Sequence, residues 1–483
     1  MLGTMSPPAN FITPEMRTLL IACCAGVFIM PLMSTMMNLA LVDMGRFFDV
    51  GADSLALVNT IFLLGSVVTM VPLAKISDIV GRKKIFIIGL IITTICSIIA
   101  GLSAHADNFT LLLVMRFGMG AGSAAVSLTS VAMLTEVFPF ERRGWAIGIQ
   151  TAFIYFGSAV GPAFGGVICQ FLGWNTIFFF ILPFALLALF FISRFNMNFK
   201  LYEGKKLDQK GSVLFSAAVM VTMFGAIFLP DPKGFILIAV GIVILYLFFR
   251  HIRGAEFPVL NFKIFKYKVF SRSVIAAFMN YASSYSVSFF LALYLQSIGM
   301  LNPMNAGMII IIQPAIQVVL TIKFGSQSDR IKDKRILPTL GMAITGAGVV
   351  MIMFLGEPNV NLPLICIILV ILGVGYGVFS APNTSAVMSS VPPKLRGEAS
   401  GMVALLRQLG MMVSMTIAMC TISIIMGSAG ADMFIYGLTS AEQFPAFITV
   451  LQVAFGICFV MCIIGTIVSW FRGKNPEGIS EFQ

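Results

Sequence analysis

The sequence predicts an all-α protein that crosses a membrane fourteen times, as two pseudo-symmetric six-helix halves with two further helices between them. Three observations predict it. First, of 483 residues 58% are hydrophobic and only 11% charged, with a mean hydropathy of +0.98; a soluble domain carries roughly 25% charged residues. Second, apolar runs of about 20 residues recur along the whole chain, long enough to span a bilayer as helices. Third, two charged segments recur at nearly one offset, 251 and 253 residues. No nucleotide-binding loop, metal cluster or catalytic triad pattern occurs, so an enzyme is not expected.

The runs follow in order. The first, 17–42, has its own start signal, with Thr13 as cap and Pro14 and Glu15 in the first turn. No small-residue cleavage site follows it, so it reads as a retained helix and not a signal peptide. Runs at 55–77 and 84–104 flank a charged loop; 110–135 holds Arg116, 144–170 a glycine stripe, and 174–193 ends the first half, 1–194. The linker 195–259 carries the two further helices, 211–230 and 234–250. The second half, 260–483, contains 271–297, 303–323, 336–356, 362–388, 397–427 with Arg407, and 445–471. Trp145, Trp174 and Trp470 fall at run ends, where an interfacial aromatic belt sits. All eight cysteines lie in apolar runs and read as small buried hydrophobes. His105, in a short outer loop, and His251, at a cytoplasmic helix end, read as solvated.

Positive charge sets the orientation. With both termini cytoplasmic, all but four of the 31 Lys and Arg residues face the cytoplasm; Arg46 and Lys233 lie outside, Arg116 and Arg407 within helices. The net charge of +11 therefore reports topology and contact with anionic lipid, not nucleic-acid binding. A cell-membrane monomer is expected, its partners the bilayer and a small amphipathic substrate.

The repeat pairs Ala74–Lys84, with Ser77, Asp78, Gly81 and Arg82, with Gly325–Arg335, with Ser328 and Asp329. It also pairs Pro139–Gly148, with Arg143 and Gly144, with Pro392–Gly401, with Arg396 and Gly397. Two parallel halves are the architecture of rocking transporters, whose site lies between them near the bilayer midplane. Gly157, Gly161 and Gly165 recur every four residues, next to Gly166, and bare one helix face for close packing. Pro162 cannot donate to the Ser158 carbonyl, so a kink or loosening is expected there. Such a stripe fits either a tight structural contact or a moving joint.

These residues carry a resemblance. Ala74–Lys84 is similar to motif A of the major facilitator superfamily, with Ala74 for the leading Gly; Arg116–Gly122 is similar to motif B, with Met119 for Gln; Gly157–Gly166 matches motif C, which the family's antiporting exporters carry. Leu207–Gly211, Ala381-Pro382-Asn383 and Arg407–Gly410 add matches to the fourteen-helix drug:proton antiporter branch, which the chain resembles over nearly its whole length. The resemblance implies the major facilitator fold and export by alternating access, with no cofactor and the proton gradient as driving force. It also implies that Asp78, facing the helix start at Arg396, and Asp329, facing Arg143, latch the halves together in the outward-facing state. One departure stands out: Met33 occupies the acidic position of the branch's first-helix pattern. That leaves a facilitator, or a receptor on the same fold, as alternatives.

Ionisable groups are expensive inside a bilayer, and no Asp or Glu lies well inside a helix to pair with Arg116 and Arg407. They either bond backbone carbonyls or make a cavity electropositive, which favours neutral or anionic amphipaths over cations. Polar side chains at helical spacing complete the candidate cavity: Thr35, Asn38, Asn59, Tyr155, Asn280, Tyr281, Ser284, Tyr285, Gln313, Gln317 and Asn383.

Overall fold

The computed structural model describes residues 12–196, 208–255, 258–260, 262–328, 331, 333–355, 360–392, 395–435 and 443–473. Every described regular element is helical. Fourteen apolar helices result among the described residues, α11 the shortest: α1 Pro14–Phe48, α2 Ala52–Val80, α3 Arg82–Leu102, α4 Phe109–Val137, α5 Phe140–Leu172, α6 Thr176–Ser193, α7 Gln209–Ile227, α8 Pro232–Gly254, α9 Lys268–Ile298, α10 Pro303–Gly325, α11 Ile336–Ile352, α12 Leu362–Ser389, α13 Arg396–Ile435 and α14 Gln443–Phe471. Asp329 lies outside the described residues, as do the side chains of Arg143 and Arg396.

Local chemistry fixes the ends. The Thr13 side chain accepts from the Met16 amide, 3.2 Å, and caps α1 as expected. Asn108, Asn302 and Asn361 cap α4, α10 and α12 in the same way. The helix α1 runs past its apolar stretch to Phe48 and stops at Asp49 in a left-handed conformation. Pro162 does not interrupt α5.

Packing repeats with a shift of eight helices. In the first set α1 packs on α5 and α6, and α4 on α2 and α3; in the second α9 packs on α13 and α14, and α12 on α10 and α11. Across the two sets α2 meets α13 and α5 meets α10. The Ser34 and Tyr285 hydroxyls, 251 residues apart, bond between α1 and α9 at the centre. Gln408 of α13 donates to Ser66 of α2, 3.1 Å.

The two further helices form a tight pair. Gly225 and Gly234 bring the backbones of α7 and α8 into contact, and a Cβ on Gly241 would stand 2.1 Å from the Thr222 hydroxyl. The helix α7 covers the α2–α13 seam: Ser216 donates to the Val68 carbonyl, 2.8 Å, and Ser423 of α13 donates to the Leu229 carbonyl, 3.3 Å. Most of α8 is exposed apolar surface, including Phe235, Ile236 and Tyr246, as lipid contact requires. At its end His251 is not merely solvated: it bonds Asp208, 2.8 Å, whose other role is to cap α7 by accepting from the Gly211 amide, 2.9 Å.

Trp174 is at a helix end but buried, packed on Phe47 and Phe48, because α1 extends far enough to cover it. Trp145 and Trp470 are exposed at helix ends.

Candidate transport cavity

The α5–α10 seam closes the bundle toward the side opposite Pro14 and Phe471. A Cβ on Gly307 would stand 2.3 Å from the Pro162 carbonyl, and one on Gly166 would stand 2.5 Å from the Pro303 carbonyl. Toward the other side, Gly148 of α5 and Gly401 of α13 have nothing within 4 Å of an added Cβ. Gly148 is seven residues from Tyr155, on the same stripe of α5.

The glycine stripe itself has two partners. Gly157 packs on Phe28, Gly161 on Thr35 and Leu32, and Gly165 on Met36, all in α1 of the same six-helix set. Gly166 and the Pro162 carbonyl meet α10 of the other set. Most of the stripe is therefore a tight contact within one set, and its last residues form the contact between sets.

Between the two helix sets lies a central cavity of about 160 Å³. It brings together Thr35, Asn38, Tyr155, Asn280, Tyr281, Ser284, Tyr285, Gln313, Gln317 and Arg407 from α1, α5, α9, α10 and α13. Ser34, Ser158, Tyr376 and Ser380 line it as well and were not anticipated. Tyr376 and Ser380, four apart on α12, carry a helical-spacing signal that the apolar, glycine-rich surroundings of that helix hide. Among the described residues the lining holds one charged side chain, Arg407, and no carboxylate. The Gln313 side-chain oxygen and the Arg407 Nε are buried there without a hydrogen-bond partner.

Three expected cavity residues are elsewhere. Arg116 is fully buried against α2 and is not in the cavity lining; its Nε donates to the Val58 carbonyl, 3.0 Å, its Nη2 to Asn59 Oδ1, 3.2 Å, and its guanidinium lies 4.5 Å from the Phe62 ring centre. A carbonyl and an amide stand where a carboxylate is absent, and they hold the arginine away from the lumen. Asn59 is turned from the lumen because it bridges Arg116 to Asn38, donating to Asn38 Oδ1 at 2.8 Å. Asn383 points to the far wall of α12, where it donates to the Ser273 carbonyl, 3.1 Å, and accepts from Arg472, 3.0 Å. Arg472 gave no such signal in the sequence, where it reads as one more flanking cation; burial pushes its pKa down to about 10. Met33, at the acidic position of the family pattern, is buried and apolar.

At the end of α2 Asp78 pairs with Arg82, 3.0 Å, and Arg82 also pairs with Glu136, 2.8 Å, and donates to the Ala132 carbonyl, 3.2 Å. This network ties α2, α3 and α4 together within one set. Among the described residues, no group of three or more His, Cys, Asp or Glu is placed to hold a metal ion.

The profile of the Major Facilitator Superfamily matches residues 23–415 and 274–481. The chain belongs to that superfamily. It is thus a multi-pass cell-membrane transporter and not an enzyme. Its relatives include the riboflavin transporter RibZ of Clostridioides difficile, 28% identical over 95% of this chain and 98% of that one. The multidrug resistance protein Stp of Mycobacterium tuberculosis is 28% identical over 81% of this chain and 73% of its own length. Among solved structures, a bacterial homolog of the human lysosomal transporter Spinster, inward-facing and unoccupied, superposes with a TM-score of 0.65 at 18% identity, covering 96% of this chain and 98% of that one.

Proposed function

We propose that this superfamily member exports small amphipathic molecules, neutral or anionic, by alternating access. The units that rock are 1–194 and 260–483, with the two further helices between them. Both termini face the cytoplasm, so the state described above is inward-facing. One observation carries the substrate reading: a cavity between the two helix sets whose lining has tyrosines, amides, hydroxyls and Arg407 but, among the described residues, no carboxylate. A cation entering it meets unfavourable charge and nothing to neutralise it. Relatives named as drug efflux and resistance proteins support export. The proton gradient as driving force rests on the resemblance to the drug:proton antiporters. A monomer suffices, since the cavity is complete within one chain.

A second reading, a facilitator of a small metabolite, draws on two observations. Met33 stands where the branch has an acid, and a relative matched from end to end is named as a riboflavin transporter.

Purified protein in vesicles with an imposed pH gradient separates these readings. Matched anionic, neutral and cationic amphipaths, with riboflavin as one probe, are followed with and without the gradient. Gradient-driven accumulation of the neutral and anionic members supports the exporter. Equilibration that ignores the gradient supports the facilitator, and vigorous cation transport refutes the substrate reading.

A further inference from the structure

We propose that Asn59, which does not line the cavity, sets which hydrogen-bonding polarity the transporter recognises, by holding Asn38 as a donor. The inference rests on the reading of the cavity as the substrate site. A guanidinium has donors only, so the Asn59 atom that meets Arg116 Nη2 at 3.2 Å is its oxygen. The Asn59 amide nitrogen is then the atom facing Asn38 at 2.8 Å, and Asn38 must answer with its own oxygen. Both choices are forced by chemistry, so neither amide is free to turn over.

What remains of Asn38 is its NH2 group. The residue lines the cavity and is buried, and none of the described protein groups takes that NH2. Across the lumen Arg407 again presents only donors. Two donor groups, one from each helix set, suit a substrate carrying carbonyl, carboxylate or sulfonyl oxygens. Leaving such a donor unmatched in the occupied cavity weakens binding of ligands that bring donors of their own.

The substitution Asn59→Asp tests this with a predicted inversion. A carboxylate accepts from Arg116 and can only accept from Asn38, so the Asn38 amide must rotate and present its oxygen to the lumen. The probes are two uncharged amphipaths of one skeleton, an aryl ketone and the corresponding aryl amine, so that the added charge has little pull on either. In vesicles the wild type favours the ketone, and N59D moves the ketone-to-amine ratio about ten-fold toward the amine, the size of one hydrogen bond. In N38A/N59D, which keeps the charge and lacks the amide, the shift disappears.

An unchanged ratio in N59D, or the same shift in the double variant, overturns the proposal. A wild type indifferent to the two probes, with a shift in N59D that N38A abolishes, supports the relay while refuting the acceptor-bearing substrate. Should N59D fail to reach the membrane, Asn38→Leu removes the donor and leaves the Arg116–Asn59 bond in place, at the cost of the bond from Asn59 to Asn38. Loss of ketone preference then supports the proposal, and an unaltered preference overturns it.

Discussion

Adding one methyl group at Gly307 probes the closed side of the bundle directly. In Gly307→Ala the new Cβ starts 2.3 Å from the Pro162 carbonyl. An ordinary contact needs about 1 Å more, and the obstacle is backbone in the middle of a continuous helix, so α5 and α10 must separate. Overpacking of this kind costs about 1–3 kcal/mol. The cost falls only on the state in which those helices touch, so the balance between the two states shifts by about 5- to 150-fold toward opening on the far side. The assay is labelling of a single cysteine at position 310, one turn from Gly307 and in the cavity lining, in a cysteine-free background, with an impermeant reagent applied from that side. Labelling accelerates several-fold or more in G307A. Gly148→Ala and Gly401→Ala meet nothing within 4 Å and leave the rate as it was. Equal rates in G307A and G148A, in protein of equal melting temperature, would refute the closed-seam account.

Three further changes have defined outcomes. Asp208→Ala removes both the cap of α7 and the partner of His251; a loss of about 1 kcal/mol follows, read as a lower melting temperature in detergent, and an unchanged melt contradicts the capping role. Asp78→Asn weakens the pair with Arg82 and takes away the charge proposed to latch onto α13 in the outward-facing state; transport slows and cytoplasmic-side labelling of the cavity rises, whereas normal values for both dismiss the latch. Arg472→Met strips the Ser273 hydroxyl, Asn383 and the Lys334 carbonyl of their shared donor. It costs on the order of 3 kcal/mol in thermal unfolding, and a neutral effect shows that the node is dispensable.

The fold was legible because burial in lipid imposes a length and a composition that each span must obey. All fourteen runs became helices, and even the 35-residue α1 departs only at its ends, where apolarity no longer constrains it. Most of the cavity was legible too, since polar side chains at i, i+3 and i+4 in an apolar helix must face something polar. Which polar group each one faces was not. Asn383 differs from Ser380 by less than one turn, yet it turns to Ser273 and Arg472 while Ser380 lines the lumen. The partners of Arg116 lie 57 and 58 positions away, and no local pattern distinguishes an arginine held by carbonyls from one bathed in a lumen. The glycine stripe was visible as a close-packing face, but its spacing is indifferent to whether α1 or α10 fills it.

The central claim is that the two helix sets share one cavity that opens alternately to either side. A lone cysteine at Ser158, which lines that cavity, tests it with impermeant reagents applied separately to each face of oriented vesicles. Alternating access requires rapid labelling from the face bearing the termini at rest, and labelling from the opposite face once substrate or a gradient drives the cycle or G307A props the seam open. Reactivity confined to a single face under all of these conditions contradicts it.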